Sequence, residues 1–174
     1  QLQHLEITRD VAARFNHQMG ETFVLPNAKI DENTMIIPGI DGNKMSKSRN
    51  NVINIFLDDK KLRKQIMSIE TDSTPLEDPK NPDTCNAFAL YQLVATKEQT
   101  ATMRANYLAG NYGYGHAKQA LFECIVEKFA TEREKYNYYI NNLEEVDALL
   151  LQGAAKAGAV ANGVLNRVRA KLGY

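Results

Sequence analysis

Only two short segments of this 174-residue chain read as β-strands or extended segments, and that scarcity decides most of what it can fold into. Thr22-Phe23-Val24-Leu25-Pro26 and Met35-Ile36-Ile37-Pro38 are β-branched, aromatic or apolar runs, each closed by a proline that cannot donate to a sheet ladder. A sheet of one or two strands is not stable alone, so the remaining strands are expected upstream of Gln1. Before these runs, Leu2, Leu5, Ala12, Phe15 and Met19 recur at three- to four-residue intervals, and Gly20 follows as a helix-terminating residue. The spacing predicts one amphipathic helix over Leu2 to Met19.

The stretch between Pro38 and Phe56 is polar and reads as a loop. Asp58 or Asp59 then caps a helix to about Ile69, with Leu62, Ile66 and Ile69 on one face. Thr71 to Asp83 holds three prolines and five acidic or amide residues, the composition of a linker. Beyond it every segment reads as helix: about Asp83 to Thr96, Lys97 to Leu108, Gly115 to Asn142 and Leu143 to Leu172, broken at Gly110-Asn111-Tyr112-Gly113. In the third of these, Leu121, Ile125, Phe129 and Tyr136 keep one side apolar, which points to a small helical bundle.

Composition narrows the function classes. With 21 basic against 21 acidic residues the formal charge is zero, so an anionic partner must be held by a local cluster and not by the overall field. No uninterrupted apolar run approaches membrane length, and residues 1 to 30 lack a secretory pattern, so neither a membrane partner nor export is expected. Cys85 and Cys124 have no C-x-x-C spacing and no pair of histidines nearby; the expectation is a reduced, cytoplasmic protein with no metal site.

The candidate for chemistry is Lys44-Met45-Ser46-Lys47-Ser48, two ammonium groups and two hydroxyls. Gly39 and Gly42 nearby are expected to leave its backbone free to move. No histidine or cysteine is adjacent, so general-base and covalent chemistry fit poorly. Phosphate binding fits well, because each lysine supplies a mobile point charge and each serine a donor. Such a loop stabilises charge that develops on a breaking triphosphate, which takes position and not proton transfer.

A specified five-residue string arises by chance in a chain this long on the order of once in 10⁴ trials. This one resembles the signature loop of class I aminoacyl-tRNA synthetases. The surroundings resemble the tryptophanyl members: Gln1-Leu2-Gln3-His4-Leu5-Glu6 with Arg9-Asp10 and Arg14-Phe15-Asn16, Ile37-Pro38-Gly39-Ile40-Asp41-Gly42 before the lysines, Thr71-Asp72-Ser73 after them, and Tyr112-Gly113-Tyr114-Gly115 before a long helix. The resemblance covers nearly the whole chain. It implies a mostly α chain in which residues 1–75 are a remnant of a Rossmann-like α/β catalytic domain, and residues 76–174 an all-α bundle that receives the tRNA anticodon.

By the same resemblance Lys44 and Lys47 contact the ATP phosphates, Lys47 above all in the transition state, and Ser46 and Ser48 add hydroxyl contacts. The backbone at Met45, and at Met35 or Ile36, holds adenine, and Gln1 lies beside the amino-acid substrate. ATP enters with Mg²⁺ as substrate and not through a protein metal site, the partners are tryptophan and its tRNA, and the complete enzyme is a homodimer. The family's second signature, H-x-G-H, is absent, and His4, His17 and His116 are scattered. The aspartate that reads the indole is expected in the same upstream half, so this chain alone is expected to be inactive. Lys156, Arg167, Arg169, Lys171, Arg133 and Lys135 are the cations available for RNA, and Tyr136, Tyr138 and Tyr139 the rings available for stacking. Two alternatives are a helical RNA-binding module with a vestigial lysine loop, and another class I synthetase such as the tyrosyl enzyme.

Overall fold

A computed structural model describes residues 2–29 and 36–174. Gln1 and Met35 therefore lie outside the described residues. The chain is mostly helical: α1 (Leu2–Met19), α2 (Asp59–Met67), α3 (Asn86–Val94), α4 (Lys97–Ala109), α5 (Tyr114–Lys128), α6 (Ala130–Ile140) and α7 (Leu143–Leu172). It forms two compact units, one of residues 1–30 with 139–174 and one of residues 31–138. The proline-rich segment 71–83 lies inside the second unit.

The second unit contains the core. Leu62, Ile66 and Ile69 are buried together, as their spacing predicts, and they meet Phe88 and Leu90 of α3, Tyr107 of α4 and Leu121 and Ile125 of α5. Fully burying one such side chain is worth about 1.5–3 kcal/mol, so these residues dominate the unit's stability. Local signals agree with the packing. Asp58 caps α2 by accepting from the Lys61 amide at 2.9 Å, and Thr96 and Gln99 form a reciprocal capping box that starts α4. Cys85 and Cys124 are free, buried thiols, and the Cys85 sulfur sits 3.3 Å from the Tyr107 hydroxyl.

The segment from Thr71 to Asp83 is not held by composition alone. Lys80, only 2% exposed, turns its ammonium inward and donates to the carbonyls of Pro75 (2.7 Å), Leu76 (3.1 Å) and Asp78 (3.1 Å). The same ammonium lies 5.5 Å from the centre of the Tyr114 ring.

Two expectations are corrected. Thr22–Pro26 pairs with no strand among the described residues; backbone groups of Thr22, Phe23 and Pro26 bond to side chains of α1 instead. The Asn16 side chain accepts from the amides of Thr22 (3.0 Å) and Phe23 (2.9 Å) and donates to the Phe23 carbonyl (2.8 Å), while Arg9 donates to the Pro26 carbonyl. Of the second run, Pro38 makes one isolated antiparallel bridge with Lys44. The helix expected over Gly115 to Asn142 is two helices. The break is a single residue, Phe129, with φ −104° and ψ 19° and its ring packed on the core. Hydrogen bonds continue on both sides of it, Phe129 to Ile125 and Arg133 to Phe129, but no side chain of α6 is buried.

In the first unit, Phe15 and Phe23 meet edge to face at 5.1 Å between ring centres. Among its described residues only Ala12 and Thr22 are buried, and α7 has none. By length and composition alone α7 is long and apolar enough to cross a membrane, although Lys156 sits near its middle.

Candidate phosphate-binding loop

The lysine loop is a tight, internally bonded turn. Its base is closed by the amide of Met45 on the Ile37 carbonyl (2.8 Å) and by the Gly39 amide on the Asn43 carbonyl (2.7 Å). Asp41 closes an Asx turn, accepting from the Asn43 amide at 3.1 Å and from the Asn43 side chain at 3.0 Å. These bonds and one from Asn51 hold the Asp41 carboxyl below its ordinary range, the Asn43 side chain contributing most. The far side is a single 3-10 turn, Lys47–Arg49, ended by Asn50 in the left-handed region with φ 53°.

Both glycines are required by contact and backbone geometry, not for looseness. A Cβ on Gly39 would collide with the side chain and carbonyl of Asn51. Gly42 has φ +73°, and a Cβ there would come within 2.7 Å of the Asn86 side chain at the start of α3. The turn is thus seated against the helical bundle. A second tie runs from the Glu70 amide to the Ile40 carbonyl (2.7 Å), and Asn86 donates to the Glu70 carbonyl (3.2 Å).

Against that base the candidate side chains face outward. Lys44, Lys47 and Ser48 are exposed, and no described residue pairs with either ammonium. The hydroxyls of Ser46 and Ser48 are 2.8 Å apart, so the two serines present one polar edge. Met45 points the other way, into an apolar cavity of about 280 Å³ lined also by Ile37, Ile53, Leu90 and Leu121. The loop therefore separates its work: Met45 anchors it, while Lys44 before it and Lys47 in the following 3-10 turn stay exposed. Ile36 is 60% exposed at the loop's entrance.

Two further motifs that stand 42 residues apart meet beside the loop. The Tyr114 hydroxyl donates to Asp72 at 2.6 Å. Burial, reinforced by the Asp72 charge, pushes the Tyr114 phenol up to about 12, while bonds from Thr74 and Tyr114 hold Asp72 down. Some candidates for RNA contact have other work. Arg133 donates to the Ile55 carbonyl (2.6 Å) and pairs with Asp59, and Tyr136 stacks on Phe56 with ring centres 4.5 Å apart. His116 lies 5.8 Å from the Tyr112 ring, and His4 and His17 are exposed on α1. Asn51 and Asn86 escape a reading based on charge and motif, and Asp41 appears there only as a letter of a motif with no role assigned. The one available signal is Asp41-Gly42-Asn43, a turn tripeptide.

Residues 1–130 match the model of a family described as tRNA synthetases class I (W and Y). The chain is 47% identical over 173 residues to a tryptophan–tRNA ligase of Rhodopirellula baltica, covering 99% of this chain and 54% of the relative. It is 49% identical over 162 residues to a protein of the same name from Fusobacterium nucleatum, covering 92% and 50%. A crystal structure of tryptophanyl-tRNA synthetase from Campylobacter jejuni, complexed with ADP and tryptophan, superimposes with a TM-score of 0.84 at 41% identity, covering all of this chain and 55% of that one. The chain spans about half the length of the curated relatives it matches.

Proposed function

Since the chain belongs to the class I tRNA synthetases of the tryptophan and tyrosine type, we propose that it forms the ATP-phosphate side of a tryptophan–tRNA ligase. Tryptophan is favoured over tyrosine because the relatives at 47% and 49% identity carry the tryptophan name. The single observation that carries the reading is a rigidly based turn holding outward two ammonium groups that no described residue pairs, at the string that resembles the family signature.

In the reaction, a tryptophan carboxylate oxygen attacks the α-phosphorus of ATP and the bond to the bridging oxygen breaks, giving tryptophanyl-AMP and pyrophosphate. Negative charge gathers on the departing pyrophosphate. Lys47, and with it Lys44, would neutralise that charge, and Ser46 and Ser48 would donate to its oxygens. The Met45 amide is taken by Ile37, which leaves the Met45 carbonyl to accept from the adenine amine; Ile36 would flank the same base. Mg²⁺ would arrive on the nucleotide, since the exposed face of the turn offers cations and hydroxyls and no carboxylate cluster. Gln1 is assigned to the amino-acid side on resemblance alone. The tryptophanyl group then passes to its tRNA. We assign residues 1–75 to the Rossmann-like catalytic part and 76–174 to the part that receives the tRNA, in a cytoplasmic homodimer.

Tryptophan-dependent pyrophosphate exchange tests this. The 174-residue chain by itself should show none, because the H-x-G-H partner signature is not in it. In the full-length protein Lys47→Ala should lower the exchange rate by about 100-fold or more while tryptophan binding changes little, in line with the loss of one transition-state charge contact. Equal losses in rate and binding would make the turn a structural element.

A further inference from the structure

We propose that Asn51, three residues beyond the lysine string, is the positioning residue that sets the aim of Lys44 and Lys47; this rests on the activity proposed above. Asn51 is 2% exposed, the most deeply buried polar side chain of the loop region. Its amide is used at both ends. The Nδ2 group donates to the Asp41 carboxylate at 2.7 Å and to the Lys44 carbonyl at 3.2 Å, and Oδ1 accepts from the Ser46 amide at 2.8 Å. Its own carbonyl accepts from the Ile40 amide at 3.0 Å. One side chain thus grips the backbone at Lys44 and the backbone leading to Lys47, on both sides of Met45, and ties both to the Asx turn.

The chemistry of the side chain is restrictive. Two donors and one acceptor are required in a fixed plane, which asparagine supplies and aspartate does not. Glutamine carries the same groups one methylene further out, into the space that Gly39 leaves by lacking a Cβ. The contacts of the side chain itself all lie within the turn, so its loss should move the lysines before it loosens the bundle. A misplacement of about 1 Å at a site working through position alone costs on the order of 100-fold in rate.

The test is steady-state pyrophosphate exchange in the full-length protein with Asn51→Asp, Asn51→Ala, the exchanged pair Asp41→Asn/Asn51→Asp, and Lys47→Ala alongside. Asn51→Asp sets two carboxylates against each other and withdraws the donor from Lys44. It should lower kcat by about 10- to 100-fold with the KM for tryptophan within about twofold, and thermal unfolding should stay within a few degrees. The exchanged pair restores a donor at 41 facing an acceptor at 51 and should recover several-fold of the lost kcat. Wild-type kcat in both single variants would overturn the proposal. So would a fall in kcat that follows unfolding and is not recovered by the exchanged pair. The Lys47→Ala arm separates the two ideas: if it is inert, the phosphate role itself fails, whereas a crippled Lys47→Ala beside an unaffected Asn51→Asp removes only the role of Asn51.

Discussion

Asp41 shows how a single carboxylate contributes to the turn without being catalytic. It accepts from Asn43 twice and from Asn51 once, and those bonds depress its proton affinity, the Asn43 side chain first. A group whose folded pKa is depressed contributes stability above its unfolded pKa of about 3.9, and that contribution is lost as pH falls through the lower folded value. The turn should therefore hold its arrangement from neutrality down to about pH 4 and loosen below it. A carbon-detected NMR titration of the Asp41 carboxyl, read together with the Asn43 and Ser46 amide shifts, would show coincident midpoints below 3.9. An Asp41 midpoint above 4 would mean the bonds do not form in solution.

At the level of elements, the parts legible in the sequence are those where local propensity and burial agree. The Leu62 and Ile66 face of α2 with Ile69 just beyond its end, the Asp58 cap, and the extents of α1 and α7 all follow from spacing and end signals. What was not legible depends on contacts that spacing does not record. Thr22–Pro26 has strand composition, yet Asn16 and Arg9 bond to its backbone at Thr22, Phe23 and Pro26 from the side of a helix. Phe129 interrupts a helix whose hydrogen bonds continue on both sides of the break. The lysines declared themselves as charge and motif, while Asn51, an ordinary polar letter in a polar stretch, is recognisable only through its partners. Lys80 is the same case within Thr71–Asp83. Replacing it with methionine keeps most of the volume but leaves three carbonyls without their shared donor, at a cost of about 1–3 kcal/mol. Urea unfolding should show a lower midpoint with unchanged slope. A variant as stable as the parent would mean water replaces the ammonium freely.

On the scale of the whole molecule, stability is distributed unevenly. The buried apolar cluster lies entirely between Leu62 and Ile125, within the unit formed by residues 31–138. In the other unit α7 runs for 30 residues with no buried side chain, leaving Leu150, Leu151 and Val160 at 65%, 72% and 72% exposure. It persists on local terms: Glu144 and Glu145 in its first turn and Arg169 and Lys171 in its last match the helix dipole, and Gly173 closes it in the left-handed region. Those contributions come to about 0.3–1 kcal/mol each, well short of what a packed helix gains from burial. Opening free energies should track this difference. In native-state hydrogen exchange on this 174-residue chain, the amides of α7 should exchange at least about 100-fold faster than those of α3 and α5, whose opening approaches global unfolding. If α7 were as slowly exchanging as α5, its apolar side must be covered in solution, for instance by self-association. Repeating the measurement over a tenfold range of protein concentration separates that case from intrinsic helix stability, since only association makes the protection depend on concentration.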